Sequence, residues 1–183
     1  MKWSEIKGRI VMGQYTSAEA SKLLRKLNED RAALLAMESR SKSFIASANE
    51  DLAAIAPEYD HVETAKALDA LNEKIRKVRH AINVFNTTHK VESFDKYEAM
   101  TIDEVLIALP QLTERKEKLA RMKDSLPKTR LRTIPGSNVI EYEYANYDIK
   151  TVQREYDDVS AALSTLQLAL DKINTTEKME IDV

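Results

Sequence analysis

The chain has no cysteine among its 183 residues. Disulfides, thiolate nucleophiles and Cys-ligated metals are therefore excluded, and the absence fits a reducing compartment. Glycine and proline are scarce, with three and four residues, too few for a fold built on turns and short strands. The glycines stand alone at Gly8, Gly13 and Gly136, so there is no glycine-rich loop to cradle a phosphate. No window approaches the ~20 consecutive apolar residues of a membrane-spanning helix. Met1-Lys2-Trp3-Ser4-Glu5-Ile6-Lys7 places charges where a signal peptide needs an apolar core, so a soluble, cytoplasmic protein is expected. Neither charge sign dominates: 28 basic and 30 acidic side chains leave a net charge of −2, and no global field demands a polyanionic partner.

What the chain does have is Ala, Leu, Lys and Glu, the residues of long helices. Two stretches are copies of one another at an offset of 88 positions. Leu68, Leu71, Ile75, Val78, Ile82 and Phe85 align with Tyr156, Val159, Leu163, Leu166, Leu170 and Ile173. Their spacing alternates between three and four residues, the seam of a helix packed on other helices in the manner of a coiled coil. Each copy closes on the same tripeptide, Asn86-Thr87-Thr88 and Asn174-Thr175-Thr176, followed by a Lys, an apolar residue and a Glu. An Asn at a helix end tolerates the left-handed conformation that stops helices, and Thr favours the extended chain. The tripeptides therefore read as helix terminators, with equivalent contact points as the functional alternative.

A second pair of aligned segments lies upstream, at an offset of 85. Thr16-Ser17-Ala18-Glu19 and Thr101-Ile102-Asp103-Glu104 are capping boxes, in which a Thr hydroxyl caps the first turn and a Glu three residues on reaches back. Leu24, Leu27, Leu34 and Met37 align with Leu109, Leu112, Leu119 and Met122, and Arg31 meets Lys116 in mid-seam. The pattern predicts one domain over 1–183, made by internal duplication of a helical hairpin: a first hairpin over 16–92 and a second over 101–180. Residues 1–15 read as a strand or irregular arm around Arg9-Ile10-Val11-Met12. Ser43 to Ser47 reads as extended, and Asn49 or Asp51 caps a short helix before Pro57. Lys90 to Phe94 alternates like a strand. Pro110 predicts a kink or break near Ala108 in a helix running from 101 to about 126. Lys128 to Pro135, a turn at Gly136-Ser137-Asn138 and Val139 to Tyr144 make a β-hairpin insertion near 129–145. The expected class is mainly α: an antiparallel four-helix bundle from two duplicated hairpins, with a small β-hairpin appendage.

No catalytic constellation emerges. A di-iron bundle site needs Glu-x-x-His pairs facing inward, but His80 and His89 have Lys77 and Asn86 at that spacing, and Glu58 precedes His61 at a loop boundary just after Pro57. There is no Gly-x-Ser-x-Gly nucleophile turn. No cofactor, metal or catalytic residue is assigned. The strongest local signal is electrostatic. Arg115, Lys116, Lys118, Arg121, Lys123, Lys128, Arg130 and Arg132 against Glu117 and Asp124 give 115–132 a charge of +6, while 141–183 carries −6. This run is a solvated or internally paired face, or alternatively a nucleic-acid contact. No aromatic lies between its cations in sequence, which argues against stacking on single strands.

Three runs carry a resemblance: Ile82-Asn83-Val84-Phe85-Asn86-Thr87, Leu112-Thr113-Glu114-Arg115-Lys116-Glu117-Lys118-Leu119 and Leu170-Asp171-Lys172-Ile173-Asn174-Thr175. Together the chain resembles the septicolysin-like family of small, mostly bacterial helical proteins. The resemblance implies a cytoplasmic helical protein without catalytic residues, and the family name implies membrane activity. From the residues, the expected function is a non-enzymatic, self-associating structural or interaction module, a homo-oligomer. The alternatives are nucleic-acid binding through 115–132 and membrane activity through amphipathic helices.

Overall fold

The computed structural model describes residues 12–92, 99–131 and 140–183. Among them the chain forms five helices and six short strands. Each long helix is placed by a local signal. Helix α1 (Ser17–Ser41) starts on Thr16, whose hydroxyl accepts the Glu19 amide at 3.2 Å while the Glu19 carboxylate accepts the Thr16 amide at 2.9 Å. Helix α4 (Ile102–Lys123) repeats the device on Thr101 and Glu104, at 3.2 and 2.7 Å. The short helix α2 (Leu52–Ile55) is capped by Asp51. Helix α3 (His61–Thr88) begins after Asp60, which accepts the Glu63 amide at 3.0 Å. Helix α5 (Ile149–Thr176) begins after Asp148, which accepts the Lys150 amide at 3.0 Å and the Thr151 hydroxyl at 2.8 Å. Asp60 and Asp148 are themselves 88 positions apart.

Burial follows the same offsets. Ala20, Leu27 and Leu34 of α1 are buried, as are Val105, Leu112 and Leu119 of α4, each 85 positions on. Thr64, Ile75 and Val78 of α3 are buried, as are Val152, Leu163 and Leu166 of α5, each 88 positions on. Apolar residues at three- and four-residue spacing share one face of a helix, and burying that face supplies most of its stability.

The strands close two joints. Strand β1 (Met12–Thr16) pairs antiparallel with β6 (Lys178–Asp182), and β2 (Lys90–Val91) pairs antiparallel with β3 (Met100–Thr101). The chain divides into two units, Met1–Asn86 with Ile173–Val183, and Thr87–Lys172. The first holds β1, α1, α2, most of α3 and β6. The second holds β2, β3, α4, a two-stranded ribbon of β4 (Lys128–Arg130) with β5 (Tyr142–Tyr144), and most of α5. The segment following α3 thus pairs with the strand that begins the second hairpin, and the segment following α5 pairs with the strand that begins the first.

Several sequence expectations need correction. The Asn-Thr-Thr tripeptides do end their helices, Asn86-Thr87-Thr88 and Asn174-Thr175-Thr176 being the last turns of α3 and α5, but their threonines are helical and not extended. Ladder pairing two residues later fixes the chain more strongly than the weak intrinsic preference of Thr for extended backbone. Pro110 does not break α4, which runs continuously to Lys123 rather than to 126. The carbonyl that loses its amide partner belongs to Leu106; both residues are exposed, so water can take the place of the missing bond. Ser43 to Ser47 forms no strand. The strand at Lys90 ends at Val91; Ser93 and Phe94, Arg9 to Val11, and the 136–138 turn lie outside the described residues. No helix among the described residues is long and apolar enough to cross a membrane.

Candidate interaction surface

The basic run divides by structure into three parts. On α4, Lys116 and Lys123 turn towards one ring: their ammonium groups stand 5.7 and 4.8 Å from the centre of Tyr156 on α5. Lys123 also pairs with Asp124 at 3.1 Å. Arg115 pairs with Glu155 of α5 at 3.1 Å, one direct link between the basic run and the acidic segment 141–183. Lys118 and Arg121 have no ion pair among the described residues. With Gln111, Glu114 and Arg115 they border an open depression of about 440 Å³.

Beyond α4 the run enters the ribbon. Every residue of β4 and β5 is exposed. Their register sets Lys128 opposite Tyr144, Thr129 opposite Glu143 and Arg130 opposite Tyr142. The Leu131 amide donates to the Glu141 carbonyl at 3.0 Å and the Ala145 amide to the Pro127 carbonyl at 3.2 Å. In an antiparallel pair, bonded and non-bonded positions alternate. The inward bonds therefore fall at 127–145, 129–143 and 131–141, and the backbones of Lys128, Arg130, Tyr142 and Tyr144 point outward from the two edges. Side chains alternate as the sequence predicts: Tyr142 and Tyr144 share a face, with ring centres 6.4 Å apart. The Lys128 ammonium lies 3.9 Å from the centre of Tyr142 and 5.4 Å from that of Tyr144, contacts worth about 0.5–1 kcal/mol each at exposed sites. Arg130 is exposed, and Arg132 lies outside the described residues.

Aromatics absent from the basic run in sequence therefore reach it in space, from β5 and α5. Sequence reasoning missed Tyr142, Tyr144 and Tyr156 because only strand register and helix pairing bring them there. It also missed the apolar exposure of the α1–α3 connector, where Phe44, Leu52 and Ile55 are exposed and Ile45 is 98% exposed. Alternation marks a strand from sequence, but no local signal says that an apolar connector stays uncovered.

The tripeptide tails are placed differently. Asn86 and Asn174 are half-buried, and Thr87, Thr88, Thr175 and Thr176 are exposed. The spacing shared by the two tails acts two residues further on, where Lys90 is opposite Thr101 and Lys178 opposite Thr16, the two cap threonines. The next residues, Val91 and Met179, are buried. Glu19 and Glu104 are held below the ordinary carboxylate range. The backbone hydrogen bond from the cap threonine is the main cause, its hydroxyl adds to the effect, and the nearby Lys178 or Lys90 charge contributes further. Among the described residues no group of three or more metal-ligating side chains could hold an ion.

No family model matches this chain, and no curated protein is detectably similar to it. The fold is that of a mainly helical protein with small antiparallel β ladders. It is similar to the crystal structure of a functionally unknown conserved protein from Corynebacterium diphtheriae, at 16% identity and a TM-score of 0.52, over 91% of this chain and 99% of that one. At that identity the likeness concerns the fold alone.

Proposed function

We propose that the protein is a non-enzymatic, self-associating structural or interaction module, assembled from two duplicated hairpins whose four long helices form an antiparallel bundle. The recurrence of caps, buried seams and tail strands at offsets of 85 and 88 supports the duplication. The observation that carries self-association is the β4–β5 ribbon, a two-stranded ladder with all side chains exposed and, among the described residues, no further strand on either edge. Such a pair is marginal alone in water, and an open edge is a template for a further strand. The resemblance to the septicolysin-like family belongs to this reading through its implied lack of catalytic residues.

Mass measured by size-exclusion chromatography with light scattering, at low and high salt, tests it. The expected result is a discrete multiple of 20.8 kDa that survives salt. Arg130→Pro removes an outward amide without touching the inward bonds, because proline is tolerated on strand edges, and should lower the mass. A monomer in both buffers would end the proposal.

A second reading is supported by Lys118 and Arg121, exposed beside Arg115, and by the tyrosines beside Lys128: these groups would bind single-stranded nucleic acid. Phosphate contacts and stacking predict affinity that falls steeply with salt. Lys118→Glu with Arg121→Glu should weaken it at least tenfold, and no binding at low salt would remove this reading.

A further inference from the structure

The connection between long helices differs in the two hairpins. Between α4 and α5 it forms the β4–β5 ribbon, whereas between α1 and α3 it holds a segment of strand composition that joins no ladder. That segment is Ser43-Phe44-Ile45-Ala46. Its backbone makes no hydrogen bond among the described residues. The next residue, Ser47, donates its amide to the Glu50 carboxylate at 2.6 Å, and its carbonyl accepts the Glu50 amide at 3.1 Å. This turn closes the segment and leaves four residues outside any helix or sheet. Phe44 is 43% exposed and Ile45 98% exposed. An open sheet edge takes up a segment of this kind, supplying main-chain bonds and covering its side chains alternately.

The β4 edge of the ribbon matches it. The backbones of Lys128 and Arg130 point outward, and residues directly opposite share a face, so Lys128, Arg130, Tyr142 and Tyr144 stand on one side of the ribbon. That side is cationic and aromatic. The connection that carries the segment is acidic: over 42–60, Lys42 stands against Glu50, Asp51, Glu58 and Asp60, a charge of −3. We propose that residues 43–46 of one copy of this chain add as a third strand to the β4 edge of a second copy. Within one chain both surfaces stay open, since neither has a further strand partner among the described residues, so the contact joins two chains. In it the outward amides and carbonyls of Lys128 and Arg130 gain partners. Phe44 and Ile45 lie against opposite faces of the enlarged ladder. Glu50 and Asp51, just past the segment, steer the acidic connection towards the two cations. This proposal rests on the self-association above and names the two surfaces that meet.

Complementation between full-length chains tests the contact. Phe44→Asp with Ile45→Asp breaks the segment, and Arg130→Pro breaks the edge. All three positions are exposed, and circular dichroism identical to the parent confirms folding. Ile45→Asp alone, at a side chain with almost no packing to lose, repeats the test should the double variant not fold. Light scattering on either variant alone should show self-association weakened at least tenfold relative to the parent. Mixed in equal amounts, the two should recover a 1:1 species at twice 20.8 kDa, because one still presents an intact edge and the other an intact segment. If the segment variant assembles as the parent does while Arg130→Pro does not, the proposal falls and ribbon-edge association stands with another strand as its occupant. If both variants are monomeric and their mixture stays monomeric, the proposal also falls. A monomeric parent would end both readings.

Discussion

The joint closed by β1 and β6 carries five register pairs, while the joint closed by β2 and β3 carries two. The difference tracks chain separation. Bringing residues 162 positions apart together in the unfolded chain costs roughly 2 kcal/mol more than bringing together residues eleven apart, because closure entropy grows with the logarithm of length. The longer ladder adds the second buried anchor, Ile181, that the shorter one lacks. Local closure can rely on a minimal strand. Distant closure needs its own piece of core.

The largest effects should come from removing the anchors. Ile181→Ala deletes a side chain that is almost fully buried in a strand held from far along the sequence, and should destabilise by about 2–5 kcal/mol. Val91→Ala trims a smaller side chain from the local joint and should cost about 2 kcal/mol. Urea denaturation of both variants reads the difference. Equal losses would mean that the five-pair ladder adds nothing beyond the two-pair one.

The caps should behave alike in the two units. Thr16→Ala and Thr101→Ala each remove the hydroxyl that accepts the first-turn amide and donates to the partner glutamate, at about 1 kcal/mol apiece. Because Glu19 and Glu104 have lowered values when folded, both ionise more readily in the native protein than in the unfolded chain. Their contribution is complete above the ordinary Glu value of about 4.3 and is lost as pH falls through the lowered folded values. The stability gap between parent and either variant should therefore narrow between pH 7 and pH 3. A gap that stays constant would mean that the threonine hydroxyl adds nothing to the hold on the carboxylate.

What the sequence made legible was local. Both capping boxes involve residues three apart, the Asp51 cap acts two residues on, and the seams repeat every three or four positions, so each could be read from a short window. What was not legible depended on partners far along the chain. The Lys178 tail finds its place opposite Thr16, and no window that contains one contains the other. The same holds for Tyr142 under Lys128, which requires the ribbon register. The tripeptides do end the helices, but their threonines misled for a related reason: their composition reports a preference for extended chain, and the pairing begins two residues later.

The aligned mid-seam cations, Arg31 and Lys116, give the finest comparison. The Arg31 Nε donates to Asn72 Oδ1 at 2.8 Å, whereas Lys116 faces the Tyr156 ring at 5.7 Å, near the limit for such contacts. Ser160, the counterpart of Asn72 at the 88-residue offset, buries a hydroxyl with no hydrogen-bond partner among the described residues. The planar guanidinium aims a fixed donor at an amide oxygen, which an ammonium on a rotating stem does less well. A double-mutant cycle of Arg31→Met with Asn72→Leu should yield a coupling of about 1 kcal/mol, reduced from a buried charged hydrogen bond because both groups are partly exposed. The corresponding cycle of Lys116→Met with Tyr156→Leu should yield about 0.5 kcal/mol or less. Arg31→Lys should lose most of the first coupling, since it turns the first layer into the second. If it loses none, the two layers are chemically interchangeable and the guanidinium has no special part in matching α1 to α3.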